Sequence, residues 1–414
     1  MTPTGDLVRK LNVYLKENPS SPVLVGVLAE TSEKRCFFEY DSDFLRRGIN
    51  ISPFKLRLAA GLQENHDSFP PQIHGVFNDS IPDGWGLLLM DRFFRTHDRN
   101  IRDITAIDRL SYIGDNGMGA LAYEPAEDTG QSHDTVLNLY KLAKNSMEIL
   151  QGRTEEVLPE MAKAGGSPGG ARPKILAGFN GKELISGESE LPEGFEPWLI
   201  KFRAENDFKD AGKIEYVYSV MAEKAGLHVP EHHLFNDSRG NSYFGIKRFD
   251  RENNKRRHVH TLSGMIHADF RLPSLDYEIL LKVCYKLTGS MSEVKMCFRL
   301  MVFNVLSYNR DDHGRNFAFV MDSKGRWSFA PPYDLMFSYG PGGEHSTSVA
   351  GEGRHPTIKD FNRLAELAGI TRAESEDIIG EVRESVRQWP KLAKASRISA
   401  ESIRLVSDCQ EKMI

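Results

Sequence analysis

Cysteine is scarce in this chain. Four residues in 414, Cys36, Cys284, Cys297 and Cys409, stand far apart with no CxxC or other metal-ligand spacing. That excludes a disulfide scaffold or a cysteine-based metal centre and leaves buried reduced thiols as the expectation. Long apolar runs are missing too. The longest, Leu300–Tyr308, is interrupted by Asn304, whereas a membrane helix needs roughly 18 or more apolar residues. The opening MTPTGDLVRKLN has no apolar core of the kind a signal peptide carries. These absences predict a cytoplasmic protein with no membrane partner. Nor is either charge in excess: 53 Lys and Arg against 58 Asp and Glu give −5, which excludes a basic nucleic-acid coat but allows a local basic patch.

Apolar residues make up 40% of the chain and charged residues 27%, the balance of an ordinary globular protein. The length predicts two to three domains at about 150 residues each. Pro22–Glu30 and Arg35–Tyr40 read as a hairpin across Thr31–Lys34. A helix is expected from Ile81-Pro82-Asp83 to about Thr96, with Pro in its first turn. A short helix at Ile104–Ile113, a strand at Met118–Tyr123 and a polar linker at Glu124–Asp134 follow. Helical patterns at Thr135–Gln151 and Glu155–Ala164 lead into the glycine-dense stretch Ala164–Lys174. Strands are then expected at Lys174–Phe179, Glu183–Ser186, Pro197–Arg203, His232–Phe235 and Tyr243–Phe249, around an amphipathic helix at Ile214–Gly226. From Asp276 the pattern is helical, at Asp276–Leu287, Ser292–Tyr308, Thr357–Leu367, Ala373–Gln388 and Ala400–Cys409. One hairpin, Asn316–Met321 with Arg326–Ala330, interrupts it.

The sharpest segment is Asn309-Arg310-Asp311-Asp312-His313-Gly314-Arg315-Asn316-Phe317, followed by Pro332-Tyr333-Asp334-Leu335. Phosphoryl transfer needs a carboxylate to orient the acceptor hydroxyl and oxygen ligands that fix Mg²⁺ against the phosphates. Asp311 and Asn316 carry the Asp-to-Asn offset of a kinase catalytic loop, and Asp334 stands where a second, metal-holding Asp follows a hairpin. The competing readings are a polar surface loop or a Ca²⁺ loop, whose alternating acidic ligands and closing Glu are not there. The glycine-dense stretch fails the Walker pattern. Its amides could still approach phosphates, with Lys174 supplying charge; a flexible linker is the alternative. Lys201, inside Trp198-Leu199-Ile200-Lys201-Phe202, is a charge in an apolar strand and wants an anionic partner there. Glu215 in the following helix is the candidate, unless the lysine faces solvent. Tyr243–Arg251 (YFGIKRFDR) joins the two halves, and Lys247, Arg248 and Phe249 either offer backbone groups to an adenine or belong to a simple edge strand.

In this order GGSPGGARPK, PWLIKF, IEY, GIKRFDR, NRDDHGRNFAF and PPYDLMFS resemble the HipA-type serine/threonine kinases, the toxins of bacterial type II toxin–antitoxin modules. The likeness runs from about Gly165 to Leu367, and VFNDSIPDGWG (Val76–Gly86) is similar to a segment of that family's N-terminal subdomain. The resemblance implies an α+β, two-lobed protein-kinase-like fold: a HipA N-terminal subdomain over 1–125, a kinase N-lobe with a glycine-rich loop over 126–255 and a helical C-lobe over 256–414. It implies ATP and Mg²⁺ as cofactors, Asp311 as catalytic base, and Asn316 and Asp334 as metal ligands. Lys201 would hold nucleotide phosphates, Lys247, Arg248 and Phe249 would form the hinge at adenine, and His313 would lie beside the metal. Gly169, Gly170, Ala171, Arg172, Pro173 and Lys174 would form the phosphate-side loop. Ser167 would match the family's autophosphorylated serine, whose modification expels that loop.

The implied partners are a helix-turn-helix, HipB-like antitoxin, through which operator DNA is met only indirectly, and a protein substrate such as an aminoacyl-tRNA synthetase. Inactivating such a substrate halts translation and produces growth arrest and persistence. The loop departs from the family's Ser-x-x-Gly-Ala-Gln-x-Lys at Pro168, which biases Ser167 toward extended backbone. It departs again at Arg172 and at Pro173, which removes a backbone donor. A small-molecule or lipid phosphotransferase is the alternative enzyme. A catalytically silent, antitoxin-binding corepressor is the non-enzymatic alternative, and the intact Asp311, Asn316, Asp334 and Lys201 count against it.

Overall fold

The computed structural model describes residues 7–127, 136–158, 161, 170–187, 190–252 and 254–413. Ser167, Pro168 and Gly169 therefore lie outside the described residues, as do most of the expected linker and the end of the helical pattern at 155–164.

Strands β1 (Leu7–Leu15), β2 (Val23–Thr31), β3 (Cys36–Tyr40), β4 (Gln63–Glu64) and β5 (Leu121–Glu124) form an antiparallel sheet in the order β4-β3-β2-β1-β5. The expected hairpin is the β2–β3 pair, with Leu28 opposite Phe38. Alternation puts Leu11, Val13 and Leu15 of β1 inward, where they join Phe38, Phe77 and Phe94 in one core. The helix Gly84–Thr96 starts later than Pro82 suggests, because Asp83 is extended (φ −112°, ψ −178°) and forms its N-cap. The next helix, Ala106–Ile113, is started by a capping box between Thr105 and Asp108.

The second sheet holds β6 (Lys174–Phe179), β7 (Leu184–Ser186), β8 (Glu196–Lys201), β9 (His232–Asn236) and β10 (Ser242–Lys247), in the order β7-β6-β8-β10-β9. Its register sets Lys174 opposite Lys201 and Lys201 opposite Phe244. The helix Ala211–Lys224 lies against it so closely that a Cβ on Gly212 would come within 3.0 Å of the Phe244 amide. Before the sheet, the helix Leu139–Leu150 is present, but residues 155–158 form no helix. Pro159 disfavours the helical conformation in the residue before it, whereas Met161, within the same expected helix, is helical.

A third, three-stranded sheet pairs the expected hairpin, Ala318–Met321 with Trp327–Phe329, to an unexpected strand, His258–Thr261. Met321 and Trp327 of this hairpin pack into the core of the first sheet. Apart from a short parallel pair, Leu275–Asp276 with Thr347–Ser348, the regular elements of the last third are otherwise helical: Tyr277–Thr288, Met291–Ser307, Ile358–Leu367, Arg372–Val386, Trp389–Ala395 and Ala400–Gln410. Met291–Ser307 is its central column, buried continuously from Leu300 to Ser307. Each large side chain enclosed there stabilises the fold by about 1.5–3 kcal/mol. The column ends on Tyr308 in the left-handed region (φ +62°) and turns directly into Asn309. All four cysteines are buried and free. Among the described residues no helix is long and apolar enough to cross a membrane.

Candidate active site

Between the second sheet and the segment that leaves the central helix lies an open cleft with a cavity of about 170 Å³. Leu176, Leu199 and Ile246 make part of its wall apolar, and Phe249 and Tyr333 stack beside them with centroids 5.6 Å apart. Lys174, Lys201, Asn316 and Asp334 supply charge and hydrogen-bonding groups. A further wall comes from the first domain, with Asp79, Ile81, Asp83 and Met118.

Lys201 is at the centre of the charged part. Its ammonium donates to Glu215 Oε1 at 2.5 Å and to Asp334 Oδ1 at 2.6 Å. The apolar run of β8 is what carries this lysine into the protein, and Glu215 meets it from the start of the helix Ala211–Lys224. Asp334 reaches it from a left-handed backbone (φ +58°), a conformation Asp tolerates better than most residues. Burial alone would lower the pKa of Lys201, but Asp334 and Glu215 raise it. Burial alone would raise Asp334, yet Lys201, Lys174 and Arg172 hold it well below the usual carboxylate range. Glu215, fully enclosed, is raised by burial and by Asp334 despite its contact with Lys201. Lys174 is brought down to about 8, first by loss of solvent and then by the neighbouring Lys201.

The two adjacent aspartates of the Asn309–Phe317 segment do different jobs. Asp312 is buried and accepts from the Tyr277 hydroxyl at 2.7 Å and the Ser346 amide at 2.8 Å, and it pairs with His345 Nδ1 at 2.8 Å. Asp311 stays exposed. The protein packed around its carboxyl still disfavours the charge: desolvation raises its pKa, His313 opposes this and Asp334 adds to it. Asn316 Nδ2 donates to the Asp311 carbonyl at 2.7 Å, which leaves Oδ1 as its ligand atom. Among the described residues no three or more His, Cys, Asp or Glu gather as a metal site. Asn316 and Asp334 nonetheless fit Mg²⁺, which uses few protein oxygens and keeps water and phosphate oxygens as its other ligands.

The described part of the glycine-dense stretch begins at Gly170, whose amide donates to Asp83 and whose carbonyl accepts from the Trp85 amide at 3.1 Å. Arg172 Nε donates to Asp207 at 2.9 Å, and the Pro173 carbonyl accepts from Phe202 at 2.8 Å. Gly170, Lys174, Lys201, Lys247, Arg248, Phe249, His313, Asn316 and Asp334 all line the cleft, whereas Ala171, Arg172, Pro173 and Asp311 do not. The backbone of the joining strand is partly engaged by its neighbours. The amides of Lys247 and Arg248 are not open to an adenine, because they donate to Glu231 and Pro197 carbonyls at 2.8 and 2.9 Å. Only their carbonyls and the backbone of Phe249 are left for a base. Sequence reasoning also missed Asp79, Asp83, Met118 and Arg315. Asp83 lay in plain view in Pro82-Asp83-Gly84, where it signalled a helix start and a family-like segment but no place in the cleft.

Comparison with known proteins decides the family. The HipA N-terminal domain matches residues 11–124 and the HipA-like C-terminal domain matches residues 166–389. The chain belongs to the HipA family. A chain of the Shewanella oneidensis MR-1 toxin–antitoxin complex of HipA, HipB and operator DNA is similar over 97% of this chain and 95% of its own, with a TM-score of 0.70 and 15% identity. That likeness shows a shared mixed α/β HipA fold. "Putative kinase Y4dM" of Sinorhizobium fredii (strain NBRC 101917 / NGR234) is 21% identical over 229 residues, 52% of this chain. The match spans about half the length of that curated relative, 52%.

Proposed function

We propose that this HipA-family chain is an ATP-dependent serine/threonine protein kinase and the toxin of a toxin–antitoxin module. The observation that carries the reading is the Lys201–Glu215–Asp334 cluster, drawn from three separate elements, in which Lys201 and Asp334 line the cleft with Asn316 and Asp311 stands near enough to Asp334 to feel its charge. Enclosing Lys201 and Glu215 with Asp334 half-buried beside them is expensive, and a fold that does so beside an open cleft has a use for them. In this reading a two-lobed, kinase-like body takes adenine against Leu176, Leu199 and Ile246, with Phe249 closing the pocket. Lys174 and Lys201 meet the phosphates, Arg172 adds charge behind them, and Glu215 keeps the Lys201 ammonium in the cleft. Asn316 and Asp334 hold Mg²⁺, which when bound neutralises charge on the phosphates. Asp311 orients the acceptor hydroxyl and takes its proton, and its raised pKa suits that work.

Ser167 is the proposed autophosphorylation site. A phosphate there adds about −1.5 to −2 charges and competes with nucleotide for Arg172 and Lys174. The proposed partner is a small HipB-like antitoxin, supported by likeness to the Shewanella complex, and the proposed substrate is a translation protein such as an aminoacyl-tRNA synthetase. The test is transfer from [γ-³²P]ATP with Mg²⁺ to protein acceptors and to the chain itself. Label on serine or threonine supports the reading. Label found only in small molecules, or nowhere, overturns it.

A further inference from the structure

We propose that Asp83 is a positioning residue for nucleotide binding, through which the first domain sets the Gly170–Lys174 segment against the cleft. The inference rests on the reading of this cleft as a nucleotide site. Asp83 is the N-cap of the helix Gly84–Thr96, yet its side chain makes no capping hydrogen bond. An N-cap Asp ordinarily accepts from the first turn of its own helix. Here the carboxylate is turned outward: one oxygen accepts from the Gly170 amide and the other from Arg315 at 2.8 Å. A single side chain of the first domain thus ties the glycine-rich segment to the Asn309–Phe317 segment.

The neighbouring residues make the contact rigid. Gly84 adopts φ +45°, and a Cβ there would fall 2.6 Å from Ala171 Cα, so the two backbones touch only because this residue is glycine. Trp85, 1% exposed, sits in the core of the second sheet with Ile175 and Leu176, while Phe94 of the same helix sits in the core of the first. Gly170 in turn bounds the place of the Lys174 ammonium, which a Cβ on Gly170 would meet at 2.4 Å. The path Asp83–Gly170–Lys174 therefore sets where a phosphate-facing cation stands. Arg315, the Gly170 amide and Lys174 hold Asp83 ionised against the effect of burial.

The experiment compares Asp83→Ala, Asp83→Asn and Gly84→Ala with Ser52→Ala. Ser52→Ala removes a different contact between the domains, Ser52 to His260 at 3.0 Å. Mg-ATP affinity is measured by calorimetry, amide hydrogen exchange is followed in the peptide covering residues 170–176, and a thermal melt checks folding. Asp83→Ala should lose exchange protection and bind Mg-ATP about tenfold or more weakly, as expected for a lost charge-assisted hydrogen bond. Asp83→Asn, which still accepts from Gly170, should fall between it and wild type. Gly84→Ala should reproduce the loss by displacing Ala171, and Ser52→Ala should leave affinity unchanged. In turnover, KM for ATP should rise while kcat changes by less than about threefold, because the lost interaction is one of ground-state binding.

Unchanged affinity in folded Asp83→Ala overturns the proposal, whether or not exchange protection is lost. So does an equal loss in Ser52→Ala, which would mean general loosening between the domains. A wild-type chain that binds Mg-ATP but transfers no phosphate would refute only the proposed function, and the binding comparison would still decide this inference. A wild-type chain that binds no ATP would refute both.

Discussion

Replacing Lys201 by methionine keeps the stem and removes the charge. Glu215, whose side chain is 3% exposed, then loses the ammonium 2.5 Å away. Asp334 keeps Lys174 and Arg172 beside it and a side chain 29% exposed, so the penalty falls mainly on Glu215. Removing one partner of a buried pair destabilises by about 3–5 kcal/mol. The sign of the pH dependence follows from Glu215. Its folded pKa already lies above the ordinary 4.5 through burial, and loss of Lys201 raises it further. An acid of this kind costs nothing where it is protonated in both states. The penalty grows as pH rises past about 4.5 and levels off above the folded pKa. Lys201→Met should therefore approach wild-type stability near pH 4.5 and fall behind it by about 3–5 kcal/mol at pH 8. The double variant Lys201→Met/Glu215→Leu should recover to within about 1 kcal/mol of wild type, since an apolar pair replaces an ionic one. It should still transfer no phosphate. Urea denaturation followed by tryptophan fluorescence, with Trp198 in the same strand, measures both. A deficit that is constant with pH, or a double variant no more stable than the single one, would refute the reasoning.

Three further outcomes are expected. Asp311→Asn should slow phosphoryl transfer by about 10²–10⁴-fold with a melting temperature no lower than wild type, because packing around the carboxyl already disfavours its charge; full activity in the folded variant would remove its assignment as base. Mg-ATP affinity should fall as pH rises through about 8, where Lys174 loses its proton; calorimetry across that range should show the fall flattened in Lys174→Met. Asp312→Ala strands the Tyr277 hydroxyl, the Ser346 amide and His345. It should cost at least about 2–3 kcal/mol in urea denaturation, the penalty of unpaired buried donors; wild-type stability would contradict the anchoring role given to Asp312.

The parts of the site legible in the sequence are those whose geometry is local. Asp311 and Asn316 stand in one turn, a short hairpin separates them from Asp334, and Lys201 with Glu215 needs only a strand followed by a helix. Long elements with clear periodicity, such as Met291–Ser307 and the β2–β3 hairpin, were equally readable. The strand His258–Thr261 was not, because HVHT is short and half polar and is stabilised by pairing with Ala318–Met321. Trp389–Ala395 was hidden by Pro390, which occupies a first-turn position where proline is tolerated. Which backbone groups of Lys247 and Arg248 remain open to the cleft is not legible, because sequence does not say which neighbours a strand pairs with. Asp83 and Met118 belong to the cleft only because the first domain folds against the second, and no local spacing records such a contact.

The hairpin of the third sheet also bears on the order in which a ribosome can deliver this protein in finished form. Met321 joins the core built by β1, β2, β3 and β5 and Trp327 packs against it, although they are synthesised about three hundred residues after β1 begins. Until they leave the exit tunnel, the earliest part of the chain leaves uncovered the apolar surface that they cover in the finished fold, and exposed apolar surface of this kind binds chaperones or aggregates. A ribosome stalled short of residue 321 would hold a first domain that lacks Met321 in its core and the Trp327 packed against it. A fragment cut between the two matched family regions should inherit the same defect.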